Sequence, residues 1–557
     1  MTALLTNNLP LLAGAPNGIK KLRELILELA VRGKLVPQYP NDEPASELLK
    51  RIAEEKTRLV AEGKIKKQKP LTEIDEEALP FELPAGWVWT RLGEITNFGS
   101  TIKKDEIPED AWVLDLEDIE KDTSKLLQKA RFYDRNSLSD KNSFTKGDVL
   151  YGKLRPYLNK VLVAEDDGFC TTEILPFRCH GPFVAHYFVI ALKSPYFLSY
   201  VNAKSYGMKM PRLGTEDGRQ AFFPLPPLAE QHRIVAKVDE LMALCDRLEA
   251  QQADAESAHA QLVQALLGSL TQSAGAEDFA ANWQRLAEHF HALFTTESSI
   301  DALKQTLLQL AVMGKLVPQD PNDEPASALL KRVAEKKARL ISEEGLRTTA
   351  REDVPEAEYY FTLHAGWASY RLGNIARFID YRGRTPTKTP SGVPLITAKN
   401  VRPGFISREP QEFIADTDYL SWMTRGFPRV GDMLFTTEAP MGNVAIIDIP
   451  DQFALAQRVI CFQLHELEIG PFLKLVMMSS GFQAQLSDAA TGMTATGIKS
   501  SRLKEIPVPV PPLPEQHRIV AKVDQLMALC DQLKTRLTQA RQLNEQLATA
   551  LVEQAVA

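Results

Sequence analysis

The chain has 557 residues, 44% hydrophobic and 25% charged, with a formal net charge of −7. That length calls for several domains rather than one core, the balance is that of a globular protein, and no apolar run is long enough to span a bilayer. Five cysteines without a CxxC pair remove the usual signatures of zinc and thiol redox sites, and the negative charge argues against a chain that coats nucleic acid unaided.

The opening segment MTALLTNNLPLLAGAPNGIKK has neither a basic start nor a cleavage pattern, so a cytoplasmic chain is expected. Leu22, Leu25, Ile26, Leu29 and Ala30 then follow a helical period that ends at Gly33. After the turn GKLVPQ, the stretch NDEPASELLKRIAEEKTRL predicts a second helix with Ser46 near its start. The basic run KIKKQK at 64–69 reads as a solvated linker. LPAGWVWTRLGEI from Leu83 has the pattern of a strand entering a mixed domain, GDVLYGKLRP at 147 places a Gly-Asp turn before another strand, and the prolines of FFPLPPL end the sheet pattern. A long helix follows, with Ile234, Val238, Leu241, Cys245 and Leu248 alternating by four and three, and a seam continued through Gln252, Ala255, His259, Leu262 and Leu266.

The chain then repeats itself. LAVRGKLVPQYPNDEPASELLKRIAEEKTRL from Leu29 returns as LAVMGKLVPQDPNDEPASALLKRVAEKKARL from Leu310, with Ser327 in the place of Ser46. LPPLAEQHRIVAKVDELMALCDRLEA at 225–250 returns as VPPLPEQHRIVAKVDQLMALCDQLKT at 510–535, identical at 20 of 26 positions. The second seam runs through Ile519, Val523, Leu526, Cys530, Leu533, Leu537, Ala540, Asn544, Leu547 and Leu551, and the other helix of the same chain is its expected partner. Cys245 and Cys530 occupy the same repeat position and read as apolar packing residues. Between the matching segments lie two divergent blocks, the second opening at LHAGWASYRLGNI and containing GDMLFTTEAP. The expected boundaries are a helical arm at 1–80, a variable block at 81–228, a spacer helix at 229–270, a repeated arm at 271–360, a second variable block at 361–513 and a terminal spacer helix at 514–557. Like surfaces suit like partners, and unlike blocks suit unlike targets.

No GxxxxGK[ST] phosphate loop, HExxH, nucleophile elbow or Asn/Asp-Pro-Pro-aromatic tetrapeptide occurs. His289 and His291 lack neighbours to complete a ligand set and read as surface or packing residues. A noncatalytic chain is expected.

Two PPLxEQHRIVAKVD helices, two GKLVPQ turns and two divergent blocks between them resemble the specificity subunit of a bacterial type I restriction-modification system, a host-defence complex. The resemblance covers the whole chain. It implies an α+β chain in which two α/β target recognition domains are separated by an antiparallel pair of long coiled-coil helices, an internal tandem repeat with pseudo-twofold symmetry. It further implies that the divergent blocks read a bipartite double-stranded DNA target, and that the like segments dock two adenine-N6 methyltransferase subunits, joined by ATP-dependent endonuclease subunits. No cofactor is expected in this chain; S-adenosylmethionine, ATP and Mg are expected in the partners.

Candidate DNA contacts are cations and amides on loops. In the second block these are Arg382, Arg384, Thr385, Lys399 and Asn400, then Thr496, Lys499 and Arg502. The first block offers Lys103, Lys104, Lys153, Arg155, Lys209 and Arg212. Residues 83–228 hold 19 Lys plus Arg against 19 Asp plus Glu, so much of the attraction for DNA is expected from partner subunits. The competing readings are a duplicated protein scaffold without direct DNA contact, which the negative charge favours, and a self-contained methyltransferase, which the missing tetrapeptide opposes.

Overall fold

The structure, a computed structural model, describes residues 11–135, 139–274, 276–344, 354–359, 361–381, 386–491 and 497–556. Each arm contains an amphipathic helix, Gly18–Val31 or Glu297–Val312, whose apolar stripe is buried; in the second arm the helices Ala276–Glu288 and Phe290–Leu293 precede it. Both end alike: Gly33 at φ 67° and Gly314 at φ 70° take the left-handed conformation, and the next amide bonds back to Leu29 O or Leu310 O. A Cβ at Gly33 would come within 2.4 Å of Pro84 Cγ, so conformation and space both require glycine. The second arm helices are Ala45–Ala61 and Ala326–Glu344. Ser46 lies inside the first turn rather than capping it: the Ala45 amide donates to Gly86 O, as Ala326 does to Gly366 O, both at 2.8 Å. A backbone carbonyl from the recognition block has taken the role expected of a serine.

The two variable blocks share a topology despite their divergence. In each, the first and last strands pair antiparallel, Val88–Arg91 with Phe222–Leu225 and Ala368–Arg371 with Pro507–Val510. Pro224, Pro507 and Pro509 thus lie within strands rather than ending the sheet, which a two-stranded ribbon tolerates wherever the missing N–H is not needed for pairing. A four-stranded sheet follows in the order Thr96–Asn97, Ile174–Cys179, Val149–Gly152, Val161–Val163. The second block repeats that order with Ala376–Asp380, Val459–Leu464, Met433–Thr436 and Val444–Ile446. Helix pairs Ala185–Lys193 and Pro195–Lys204, and Gly470–Met478 and Ser480–Ala489, pack beside these sheets, with Ser194 and Ser479 capping the second member of each pair. The Gly-Asp turns place Asp148 and Asp432 in buried sites, each held by an arginine, Arg178 at 2.8 Å and Arg429 at 3.1 Å. A further sheet differs between blocks, five-stranded in the first and four-stranded in the second.

The chain forms two compact units, Met1–Ala255 with Ala540–Ala557, and Glu256–Gln539. The spacer helices Leu228–Gln272 and Leu513–Val556 therefore start in opposite units and end in opposite units. In the first unit Ile234, Val238, Leu241 and Cys245, with Leu248 partly buried, share one apolar core with Leu22, Leu25 and Leu29 of the arm and with Ala548 and Ala555. In the second, Ile519 and Val523 join the core of the recognition block, and Leu526, Cys530 and Leu533 join Leu303, Leu307, Val263, Leu267 and Leu270. Each seam is thus covered by its arm helix. The far ends of the seams fall one residue later than a strict heptad places them. Val263 and Leu267 are buried while Leu262 is exposed, and Ala548 is buried while Asn544 and Leu547 are exposed. Eighteen residues are five turns at 3.6 per turn, so Cys245 leads to Val263 and Cys530 to Ala548.

Polar contacts repeat as faithfully as the sequence. Glu230 accepts from Trp87 Nε1 at 3.0 Å and Gln38 Nε2 at 3.1 Å; Glu515 accepts from Trp367 Nε1 at 3.0 Å and Gln319 Nε2 at 3.2 Å. Arg233 pairs with Asp42 at 2.6 Å and Arg518 with Asp323 at 2.7 Å. Lys34 Nζ donates to Val556 O, and Lys315 Nζ to Thr271 O and Ser273 O, so a repeated lysine meets the negative end of a spacer helix in each unit.

Replacing Glu230 by Ala would orphan the buried Trp87 Nε1 donor, at about 1–3 kcal/mol for the unsatisfied group, whereas Gln38 keeps its bond to Gly33 O. Denaturant unfolding should show that loss, and an unchanged midpoint would remove Glu230 from the framework. His180 and His465 are equivalent in the two blocks, their amides donating to Ile95 O and Ile375 O. Burial, reinforced by Lys56 and Lys337 respectively, pushes both imidazoles down to about 4. The folded value lies below the unfolded one of about 6.5, so their contribution is complete above pH 6.5 and is lost as pH falls towards 4. The melting temperature should fall across that window, and less steeply for a His180→Gln, His465→Gln double variant; parallel profiles would sink this assignment.

Candidate nucleic-acid interface

In the first recognition domain the strand Val149–Gly152 runs into a loop that a second loop folds against. Leu154 bridges Arg212, Arg212 bridges Tyr206, the Arg155 amide donates to Pro211 O at 2.7 Å, and the Leu213 amide to Lys153 O at 3.0 Å. Two candidate pairs far apart in sequence, Lys153 with Arg155 and Lys209 with Arg212, are thereby brought to one place. Lys153 is half-buried, while Arg155 and Lys209 are exposed. Arg212 is held by Glu173, its Nε 3.1 Å from both carboxylate oxygens and its Nη2 3.0 Å from Oε1. Tyr157, Tyr206, Met208 and Met210 are exposed on the same loops, Met208 completely. Cations beside exposed aromatic and thioether groups offer charge for phosphates and flat or pliable surface for bases.

The second domain builds the same pair of loops with other side chains. Glu438 bridges Gly497 and Gly497 bridges Thr491, as Leu154, Arg212 and Tyr206 do in the first. The Ile498 amide donates to Thr437 O, matching Leu213 to Lys153, and Thr437 N donates to Arg458 O, matching Lys153 to Glu173. Arg155 and Ala439 even share a left-handed φ of 49°. Superposing these roles sets Lys153 against Thr437, Leu154 against Glu438, Arg155 against Ala439, Arg212 against Gly497 and Glu173 against Arg458. The ion pair survives in altered form, Arg458 Nε lying 2.9 Å from Glu438 Oε1.

Other candidates are placed elsewhere. Arg382, Arg384, Thr385 and Thr496 lie outside the described residues. Lys499, just before the helix Ser500–Leu503 that follows the Gly497 bridge, and Arg502 on that helix are both exposed, adjoining the second loop pair. Lys399 is exposed, but its neighbour Asn400 is buried. The Asn400 carbonyl accepts from Thr397 N and Oγ1, and its amide donates to Ser407 O and Pro410 O. That side chain secures a turn and has no amide left to read a base. Lys103 is exposed and Lys104 half-buried, on a short turn with Asp105 and Glu106. Sequence reasoning missed Glu173, Arg458 and the exposed Tyr157, Tyr206, Met208 and Met210. Aligning GDVLYGKLRP with GDMLFTTEAP already sets Arg155 against Ala439, but only the long-range bridges reveal the second loop.

A family model described as the Type I restriction modification DNA specificity domain matches residues 364–541. The chain is 40% identical over 560 residues to the Type I restriction enzyme EcoAI specificity subunit of Escherichia coli, covering 97% of this chain and 94% of that one. It is 38% identical over 571 residues to the EcoEI specificity subunit of the same organism, with the same coverage. A solved chain from work on complex assembly and conformational transition of the type I R-M system has a TM-score of 0.52 at 20% identity, covering 86% of this chain and 99% of that chain, which shows a shared fold. With 40% identity across nearly the full length of both chains, this protein belongs to the specificity subunits of type I restriction enzymes.

Proposed function

We propose that the chain is the sequence-specific DNA-recognition and assembly subunit of a type I restriction-modification complex. Each recognition domain reads one part of a bipartite double-stranded target. Two adenine-N6 methyltransferase subunits and the ATP-dependent endonuclease subunits assemble with it. The observation that carries this reading is the matched set of loop bridges: equivalent backbone bonds, occurring in both domains, present different side chains inside two frames of near-identical sequence. A device that reads two different half-sites from equivalent positions needs this combination.

The chain itself is noncatalytic in this proposal, and methyl transfer and DNA cleavage belong to the partners, with S-adenosylmethionine, ATP and Mg bound there. A net charge of −7 makes the isolated subunit a weak DNA binder, and the assembled complex a strong one. Because the first and last strands of each block pair with each other, a block begins and ends at one place and can be exchanged as a piece. Replacing residues 363–513 by the equivalent block of a relative should change one half of the methylated motif and leave the other half intact, as read by mapping methylated adenines in cells that express the hybrid complex. A change in both halves would refute independent reading. Failure of the assembled wild-type complex to bind any duplex specifically would return the chain to a scaffold.

A further inference from the structure

The first recognition domain contains seven arginines between residues 81 and 228, and six of them are engaged. Arg91 donates to Thr72 O and Gln220 O, Arg131 to Asp110 O, and Arg135, Arg178, Arg212 and Arg219 hold carboxylates. Among the described residues nothing holds the guanidinium of Arg155, which is exposed at the centre of the loop pair. Its backbone is left-handed, φ 49° and ψ 59°, a conformation that a residue with a side chain seldom adopts outside sites over-determined by their surroundings. Here Arg155 N donates to Pro211 O and Arg155 O accepts from Leu158 N, so the surroundings impose it.

The second domain separates the backbone from the side chain. Ala439 has the same φ at the matching place, so the fold requires the conformation and not the guanidinium. A charged side chain that is unneeded for folding, unpaired among the described residues, and exposed on the same loop pair as Lys153, Lys209, Tyr157 and Met208 is set out for something external. We propose that Arg155 reads a base in the half-site of the first domain, its two-pronged donor matching O6 and N7 of a guanine in the major groove. Lys153 and Lys209, as point charges, serve the flanking phosphates. The second domain, with Ala439 there, reads its own half-site through other side chains. This inference rests on the DNA-recognition reading above.

The test uses the subunit assembled with its methyltransferase partners, carrying Arg155→Ala, which copies the residue of the second domain, or Arg155→Gly, which suits a left-handed position without strain. Both variants should keep the melting temperature of the wild type. Binding and methylation are measured on duplexes in which each base pair of the first half-site is changed in turn. The wild-type complex should reject a change at one G·C pair by about 10- to 100-fold, and both variants should lose that rejection at that pair alone, with discrimination in the second half-site untouched. Retained discrimination at every position would overturn the proposal. So would a uniform loss of affinity with a shallower salt dependence, which would make Arg155 a phosphate contact. A wild-type complex that recognises no bipartite duplex would overturn the DNA-recognition reading itself, and this inference with it; the two failures are told apart by the wild-type arm alone.

Discussion

Glu230 and Glu515 are carboxylates at the openings of the two long helices, nearly sealed from water, and each is satisfied only by side chains distant in the chain. Burying a carboxylate is costly unless donors meet it. Gln38 and Trp87, or Gln319 and Trp367, supply those donors, and they can do so only when the arm turn, the entry strand of the recognition domain and the spacer helix all converge. Burial pushes the pKa of the Glu230 carboxyl up, while the bonds from Trp87 and Gln38 oppose that rise. The rest of each unit is arranged around this junction. Arg233 and Asp42, or Arg518 and Asp323, lock the adjacent turn, and Gln231 and Gln516 donate to Pro226 O and Pro511 O just before the helix starts.

This junction accounts for the unequal divergence of the two halves. Gln38, Asp42, Trp87, Glu230 and Arg233, from four separate motifs, are partners of one another, as are their counterparts in the second unit, so a change in one of them removes a partner from another. The recognition loops have no such obligation. Their backbone is held by main-chain bonds, from Leu213 to Lys153 and from Ile498 to Thr437, which do not depend on which side chains they carry. Side chains there are free to be Arg155 or Ala439, Arg212 or Gly497. Stability and selectivity are thereby placed on different atoms.

The arm helices serve a second purpose. A lone spacer helix would expose Ile234, Val238, Leu241 and Cys245; with Leu22, Leu25 and Leu29 laid along it, the stripe becomes part of a core. Ion pairs fix the alignment, Arg23 reaching Asp246 at 2.7 Å in the first unit and Lys534 reaching Asp301 at 3.1 Å in the second. These exposed pairs contribute little energy individually. The buried stripe does most of the stabilising, and its 3.6-residue period decides which residues at the far ends of the helices are covered.

The duplication, the long helices, the arm helices and their Gly-closed ends, and the family are all legible in the order of residues, because they depend on local periodicity and on motifs that recur in the same chain. Residue order also marks Lys153, Arg155, Lys209 and Arg212 as candidates without showing that they meet. Their meeting follows from the folded chain, since the bridge from Leu154 to Arg212 spans residues with no local relation. The fold likewise dictates that Asn400 is turned inward, that a carbonyl of Gly86 rather than Ser46 caps an arm helix, and that Leu262 and Leu547 leave the seam. The physical reason is common to all of these. A local pattern shows what a residue is able to do, whereas burial and hydrogen-bond satisfaction, including which side of a drifting helix is covered, are settled by groups that come from elsewhere in the chain.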